Sequence, residues 1–291
     1  MIAIPSFDGA ALHAPDGSWK RWGDLLQRRC GLALRDAQLP VLAEIIETRR
    51  NARGLASDDD YYDLLAADAE DEAEWIELVD RLVSHETSFF RHPASFDALR
   101  HSILPELRRR TDRGHIMLGC AGCSTGEEAY SMAMVAMDEC TRGREFIVWG
   151  SDISRRSIDA ARTGRYTERA IARVPAEFRQ YVKPAPALPR YHEIVDAIRG
   201  RVRFLAANLY AAGGVFLTYD VIFCQNVLIY FAPAAVRRLM SWLAARLTDG
   251  GFLLLGPGEA PLACPAGLEA VNLPGVRAFR RVGRNLREVR P

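Results

Sequence analysis

Residues 115–139, HIMLGCAGCSTGEEAYSMAMVAMDE, join an apolar run to a loop with Gly119, Gly122 and Gly126, then to a helical pattern. Glycines let a backbone turn tightly and approach a ligand, and the amino end of a helix favours negative charge. This combination suits a nucleotide-bearing cofactor; a plain structural glycine turn is the alternative. The spacing is not G-x-G-x-x-G, which weakens a nicotinamide dinucleotide reading; an oxidoreductase sharing the same sheet stays open as an alternative, which cofactor preference in a binding assay separates. Asp152 ends the run Phe146–Gly150, about 30 residues after the first strand, where an acid accepts hydrogen bonds from both ribose hydroxyls. Its other reading is a cap for the following helix. Asn226 interrupts the apolar run FCQNVLIYF at the carboxyl end of a strand, where open α/β sheets bind ligands; a turn asparagine is the bland alternative. Cys120 and Cys123 have C-x-x-C spacing, but no second pair completes a zinc set and the context is not thioredoxin-like. His85, His92, His101 and His115 share no metal-ligand spacing, so no metal site is expected.

The elements that must position these residues follow from periodicity. Trp19, Trp22, Leu25 and Leu26, then Leu39, Leu42, Ile45 and Ile46, recur at helical spacing, with Asp36 as a candidate cap for the second run. Asp58 to Asp80 reads as one or two helices with an acidic face. A helical region therefore fills 1–80 behind an irregular arm at 1–17, and residues 81–94 form a linker. From residue 95 the pattern changes to a helix (Ser95–Arg110) followed by apolar runs at His115–Gly119, Glu145–Ser151, Val202–Ala206, Val221–Cys224, Phe252–Leu255 and Arg277–Val282. Helical stretches at about 126–141, 154–163 and 233–247 alternate with them. Such alternation predicts βαβ units and a mostly parallel sheet over 95–291. Prolines 184, 186 and 189 break the rhythm, which marks a small inserted subdomain at about 173–204.

Composition narrows the function classes. The 291 residues are 49% hydrophobic and 26% charged, enough apolar surface for a buried core and too much for a disordered chain. The 38 basic residues, all arginine except Lys20 and Lys183, meet 37 acids, and a net charge of +1 argues against a nucleic-acid binder. No run approaches the roughly 20 apolar residues of a membrane span, and the first residues lack a signal-peptide pattern. Six scattered cysteines in a chain of this length suit reduced thiols, so the expectation is a cytoplasmic protein.

Five segments together resemble the chemotaxis receptor methyltransferases of the CheR type, which use S-adenosylmethionine to methylate receptor glutamates. They are TSFFR (Thr87–Arg91), CSTGEEAYS (Cys123–Ser131), SDIS (Ser151–Ser154), AANL (Ala206–Leu209) and CQNVLIYF (Cys224–Phe231), in the family's order. The similarity spans roughly residues 18–283 and leaves open a type IV pilus (PilK-like) branch serving twitching motility. It implies an α/β chain: a Rossmann-like class I methyltransferase domain with an inserted antiparallel β-subdomain, after a small all-α domain. It implies S-adenosylmethionine as cofactor and S-adenosylhomocysteine as product. Carried over position by position, His85, Thr87, Arg91, Glu128, Asp152, Asn208, Leu209, Asn226 and Val227 line the cofactor pocket. Asp152 holds the ribose, Asn208, Leu209, Asn226 and Val227 surround the adenine and methionine portions, and Glu128 suits the ammonium or an adjacent donor.

Four departures from the family stand out. His85 replaces its usual Asn, and Ala129 its usual Pro. Gly256-Pro257-Gly258-Glu259 replaces glycine-histidine-serine-glutamate, and KPAPALPR (Lys183–Arg190) replaces a glycine-rich hairpin that grips a receptor's C-terminal peptide by strand addition. Methylating a carboxylate with an unperturbed pKa near ~4.3 requires no general base at neutral pH. The roles left are positioning and partial desolvation, expected of Arg91 and Tyr230 as catalytic residues. A noncatalytic S-adenosylmethionine-binding sensor or scaffold is the rival reading. Charge is segmented: residues 18–53 carry eight basic and four acidic side chains, 54–84 one and eleven, and 162–203 ten and four. A basic helical domain and a basic insertion are expected to meet the glutamate-rich cytoplasmic helices of a chemoreceptor.

Overall fold

The computed structural model describes residues 18–67, 72–110, 114–140, 145–186, 188–211, 217–259 and 264–283; the expected arm at 1–17 lies outside them. The chain divides into two units, Met1–Leu82 and Val83–Pro291. The first contains α1 (Ser18–Cys30), α2 (Leu39–Ala52), α3 (Asp58–Ala66) and α4 (Glu72–Leu82). The predicted apolar stripes are buried as Trp22, Leu25, Leu26, Leu42, Ile45 and Ile46, joined by Tyr61, Trp75 and Leu78. Asp36 does not cap α2: it opens a short 3-10 turn, Asp36–Gln38, and Gln38 occupies the cap without a side-chain bond. Ser57 does cap α3, accepting from Asp60 N while the Asp60 carboxylate accepts from Ser57 N.

The arginines of this unit are absorbed by its own acids. Arg49 donates to both oxygens of Glu74 (2.8 and 2.6 Å), Arg50 pairs with Asp58 at 2.8 Å, and Arg29 pairs with Glu72 at 2.7 Å while lying over Trp75. Arg21 pairs with Asp59. The expected basic face of the helical domain is thus largely neutralised from within, because the acidic 54–84 stretch folds back onto the 18–53 helices.

In the second unit, α5 (Pro93–Ala98) continues through a π turn (Leu99–Ile103) into α6 (Leu104–Arg109). Then follow β1 (His115–Ala121), α7 (Glu127–Cys140), β2 (Glu145–Asp152), α8 (Arg155–Thr163), β3 (Arg165–Thr167), α9 (Glu168–Ile171), β4 (Val182–Pro184) and β5 (Tyr191–Ile194). The chain ends with α10 (Asp196–Arg199), β6 (Val202–Ala206), β7 (Tyr219–Cys224), α11 (Pro233–Arg246), β8 (Leu247–Leu255), β9 (Leu268–Leu273) and β10 (Val276–Arg281). The large sheet runs β6-β2-β1-β7-β8-β10-β9, parallel from β6 to β8, with β10 antiparallel to both its neighbours. Strand order reverses between β1 and β7, so a crevice opens at their carboxyl ends.

The small sheet, β3-β5-β4, is antiparallel and draws on Arg165–Ile194, whereas 173–204 was the span expected from the prolines. Val202–Ala206 belongs to the large sheet because its backbone pairs in parallel with β2, Val148↔Val202 through Asp152↔Ala206. Strand alternation sorts the core into two layers. Ile116, Leu118 and Cys120 face the cluster containing α7, and Met117 and Ala121 face the one containing α11. Among the described residues no helix is long and apolar enough to cross a membrane.

Candidate functional site

The crevice is built from the loop after β1. Gly122 N and Cys123 N both donate to Ser151 O, at 2.8 and 3.0 Å, which folds the loop over the end of β2. Gly122 has φ +75°, and a Cβ there would lie 2.3 Å from Val227 Cγ2. Only glycine lets these two segments meet. Ser124, at φ +46°, donates its N–H to Asp152 Oδ2 at 2.8 Å; Ser154 N donates to Oδ1 at 2.9 Å. Asp152 therefore braces the turn into α8, whose cap is Ser154, from the carboxyl end of β2.

His85 belongs to this brace. Its Nδ1 lies 2.8 Å from Ser157 Oγ, and its carbonyl accepts from Ser124 Oγ at 3.1 Å. Downstream, Phe89 and Phe90 are buried, Phe90 stacking on Phe178 at 4.9 Å. Phe90, at φ +50°, donates its N–H to Ser131 Oγ, which itself donates to Glu127 O in the first turn of α7. Thr87 is half-buried, and its side chain makes no hydrogen bond among the described residues. The Arg91 guanidinium donates to Glu86 O at 2.8 Å and lies 3.9 Å from the Glu86 carboxylate.

Glu128 carries the strongest electrostatic signature. It is 8% exposed, and its hydrogen-bond donor is the Cys120 thiol at 3.2 Å. Burial raises its carboxyl pKa to about 7; the Cys120 bond and the charge of Arg91 pull the other way, and Glu259 adds to the rise. Burial also pushes the thiols of Cys120 and Cys123 up, with Glu128 and Asp152 reinforcing it, so both stay protonated at neutral pH. A buried acid with no cation bonded to it suits a ligand ammonium or sulfonium.

The loop after β7 closes the other side. Asn226, at φ +60°, donates its N–H to Glu259 Oε2 at 2.8 Å, and its Oδ1 lies 2.7 Å from His92 Nε2. Gln225 Nε2 donates to Ser95 Oγ at 2.8 Å. Tyr230 ends the short turn Leu228–Tyr230, and its hydroxyl makes no hydrogen bond among the described residues. Asn208 Oδ1 accepts from Tyr210 N, and Asn208 and Leu209 line a small apolar cavity with Cys120, Ala121, Trp149 and Trp242. A larger cavity, about 1020 Å³, opens at the amino ends of the strands around His115, Asp220 and Thr248, away from the motifs.

The structure thus gathers His85 with Asp152, Arg91 with Glu128, Val227 with the Gly122 loop, and Asn208 with Leu209 beside the end of β1. Sequence reasoning missed His92, Ser157 and the bonding role of Glu259. One signal was available for Glu259: like Asp152 and Asn226, it is a polar residue just beyond the carboxyl end of a parallel strand.

Both units of the chain are similar to known proteins. The CheR methyltransferase SAM binding domain matches residues 85–271, and the CheR methyltransferase all-alpha domain matches residues 18–83. The chemotaxis protein methyltransferase Cher2 of Pseudomonas putida is 31% identical over 209 residues, covering 69% of this chain and 75% of the relative. Chemotaxis protein methyltransferase 1 of Pseudomonas aeruginosa is 27% identical, covering 86% of this chain and 92% of the relative. The probable biofilm formation methyltransferase WspC of the latter organism is 29% identical; the match covers 93% of this chain but 64% of that longer relative.

Proposed function

Because the chain belongs to the CheR methyltransferase family, with S-adenosylmethionine as its cofactor, we propose that it methylates glutamate side chains on the cytoplasmic helical domain of a chemoreceptor. The products are a glutamate methyl ester and S-adenosylhomocysteine. In this reading the protein works in the cytoplasm, in sensory adaptation for chemotaxis or pilus-based motility.

The cofactor fits the crevice on a physical observation: Glu128 is a buried carboxyl bonded by a thiol and no cation, poised near neutrality. Asp152 is a carboxylate at the carboxyl end of β2, where a ribose is held in such sheets, and the cavity under Asn208 and Leu209 offers an apolar wall to a base. When bound, the cofactor supplies an electrophilic methyl on a sulfonium. Everything else falls to the chain's own side chains. A receptor glutamate is already ionised at neutral pH, so no proton has to be removed from it. Arg91 keeps donor capacity beyond its bond to Glu86 O, and Tyr230 offers a hydroxyl; both orient the incoming carboxylate.

The acidic character of the substrate is supported by arginines that the fold leaves unused. Arg155, Arg156, Arg169, Arg173 and Arg190 are exposed, and their side chains make no hydrogen bond or ion pair among the described residues. Arg155 and Arg156 open α8, whose first turn holds no acid. Cations at a helix amino end oppose the macrodipole, a small cost that an acidic partner offsets. Leu188 and Tyr191 stand exposed beside Arg190 in the small-sheet subdomain.

The reading is carried by Glu128 and tested by transfer of radiolabelled methyl from S-adenosylmethionine to a receptor cytoplasmic fragment. The expected product releases its label in mild alkali, as an ester does. Arg91→Ala and Tyr230→Phe should abolish most of that label without unfolding the chain. Binding of S-adenosylhomocysteine without any base-labile product on the cognate receptor would instead favour a noncatalytic sensor.

A further inference from the structure

Asn226 sits at a backbone conformation that it must be held in. Its φ of +60° lies in the left-handed region, which costs an L-residue free energy and persists where the surroundings over-determine it. Two side chains from distant parts of the sequence do so. Glu259, 3% exposed, takes Asn226 N at 2.8 Å and Gly256 N at 2.9 Å on Oε2, and Ile229 N at 3.4 Å on Oε1. Backbone N–H bonds to a carboxylate are the stronger, charge-assisted kind. Gly256 makes room for it: a Cβ there would lie 2.7 Å from Glu259 Oε2 and 2.9 Å from Asn226 N. The carboxylate thus fixes the turn that carries Val227 and Tyr230 as well as Asn226.

His92 acts on the side chain. Its Nε2 lies 2.7 Å from Asn226 Oδ1 across 134 residues of sequence. The Nε2–H tautomer and the imidazolium both donate there, so Oδ1 is occupied in either state and Asn226 offers its two amide N–H donors to a ligand. Resting on the cofactor-site reading, we propose that His92 and Glu259 are positioning residues: Glu259 sets the backbone of Asn226, and His92 sets its amide to donate rather than accept toward the bound cofactor. The same bond ties the segment holding Arg91 to the loop holding Tyr230, so one clamp registers both sides of the crevice.

The test is calorimetric binding of S-adenosylhomocysteine to the full chain, with thermal unfolding alongside. His92→Ala should weaken binding about tenfold, the size of one hydrogen bond, while lowering the melting temperature by no more than a few degrees. His92→Gln, whose amide nitrogen reaches the same position, should recover most of the loss. The double variant His92→Ala/Asn226→Ala should bind no worse than Asn226→Ala alone, since His92 acts through Asn226. Glu259→Gln should weaken binding by more than His92→Ala. Wild-type affinity in His92→Ala, no recovery in His92→Gln, or additive losses in the double variant would each overturn the proposal. Failure of the wild type to bind would instead overturn the cofactor reading beneath it.

Discussion

Glu74 of the helical unit and Glu128 of the second unit are both buried, and the two are treated in opposite ways. Glu74, 2% exposed, sits in the helical unit between Arg49, which donates to both its oxygens, and Tyr61, which donates at 2.8 Å. Burial alone would raise its carboxyl pKa, but the bonds from Arg49 and Tyr61 outweigh that and leave it lowered. The Tyr61 hydroxyl is pushed up in turn, by burial first and then by Glu74. Glu128, 8% exposed, has a thiol donor and only the more distant charge of Arg91, so burial wins and its pKa rises to about 7. The difference is one of counter-charge: Glu74 has its cation bonded to it, and Glu128 does not.

The largest expected effect comes from breaking the complete pair. Arg49→Ala leaves an ionised Glu74 buried with Tyr61 bonded to it and Arg53 at 3.9 Å, and should cost about 3 kcal/mol of stability, the low end for a broken buried pair. Urea unfolding of the full chain, followed by tryptophan fluorescence, to which Trp19, Trp22 and Trp75 of the helical unit and Trp149 and Trp242 of the other contribute, measures it. A loss under 1 kcal/mol would mean that the pair is a surface contact in effect. The same bonding makes any combined charge reversal of Arg28, Arg29, Arg49 and Arg50 a poor probe of partner binding. Three of the four hold the helices to one another, and Arg28 is the exposed one without a partner among the described residues.

Next in size is the incomplete site. With its folded pKa above the unfolded value, Glu128 binds more protons in the folded state between about pH 4.5 and 7. Stability therefore falls as pH rises through that window, by about 3 kcal/mol in total. Glu128→Gln keeps the acceptor for Cys120 and removes the titration, so it should be more stable than the parent at pH 8 and equal to it near pH 4. A bound cation favours the ionised form, so affinity for S-adenosylhomocysteine should rise from pH 6 to pH 8 in the parent and stay flat and weaker in the variant. A parent whose affinity is independent of pH across that range would remove Glu128 from the cofactor site.

How much of this contrast the sequence announces depends on the range of the bond. The sheet was legible because its strands are apolar runs, and Asp152 and Asn226 stood out as polar residues ending such runs. Of the small sheet, alternating segments around Tyr181 and His192–Val195 were legible, but β3 and β9 were not: β3 is three residues long, and β9 is exposed or half-buried after Leu268. The clamp on Asn226 was invisible for another reason. His92 is 134 residues away and Glu259 33 residues away, and no periodicity links side chains that meet only through the fold. The ion pairs of the helical unit were hidden in the same way, so a count of charges along 18–53 suggested a basic surface that 54–84 neutralises in space.

The smallest expected effect tests the contrast at the surface, where paired and unpaired arginines can be compared directly. Arg50 meets Asp58 at 2.8 Å with both side chains partly exposed, a pair worth a few tenths to about 1 kcal/mol. Arg155 and Arg156 meet nothing among the described residues and oppose the dipole of α8, so replacing them with glutamate should leave the melting temperature unchanged or slightly raised. If they steer an acidic helix, the double variant should raise KM for a receptor fragment severalfold, with the difference shrinking as salt is added. Affinity for S-adenosylhomocysteine should stay at the parent value, because the pair stands outside the crevice residues. Arg50→Glu should behave in reverse, with a small loss of stability and little change in KM. Equal KM in the Arg155/Arg156 variant and the parent at low salt would move the receptor to another face of the molecule.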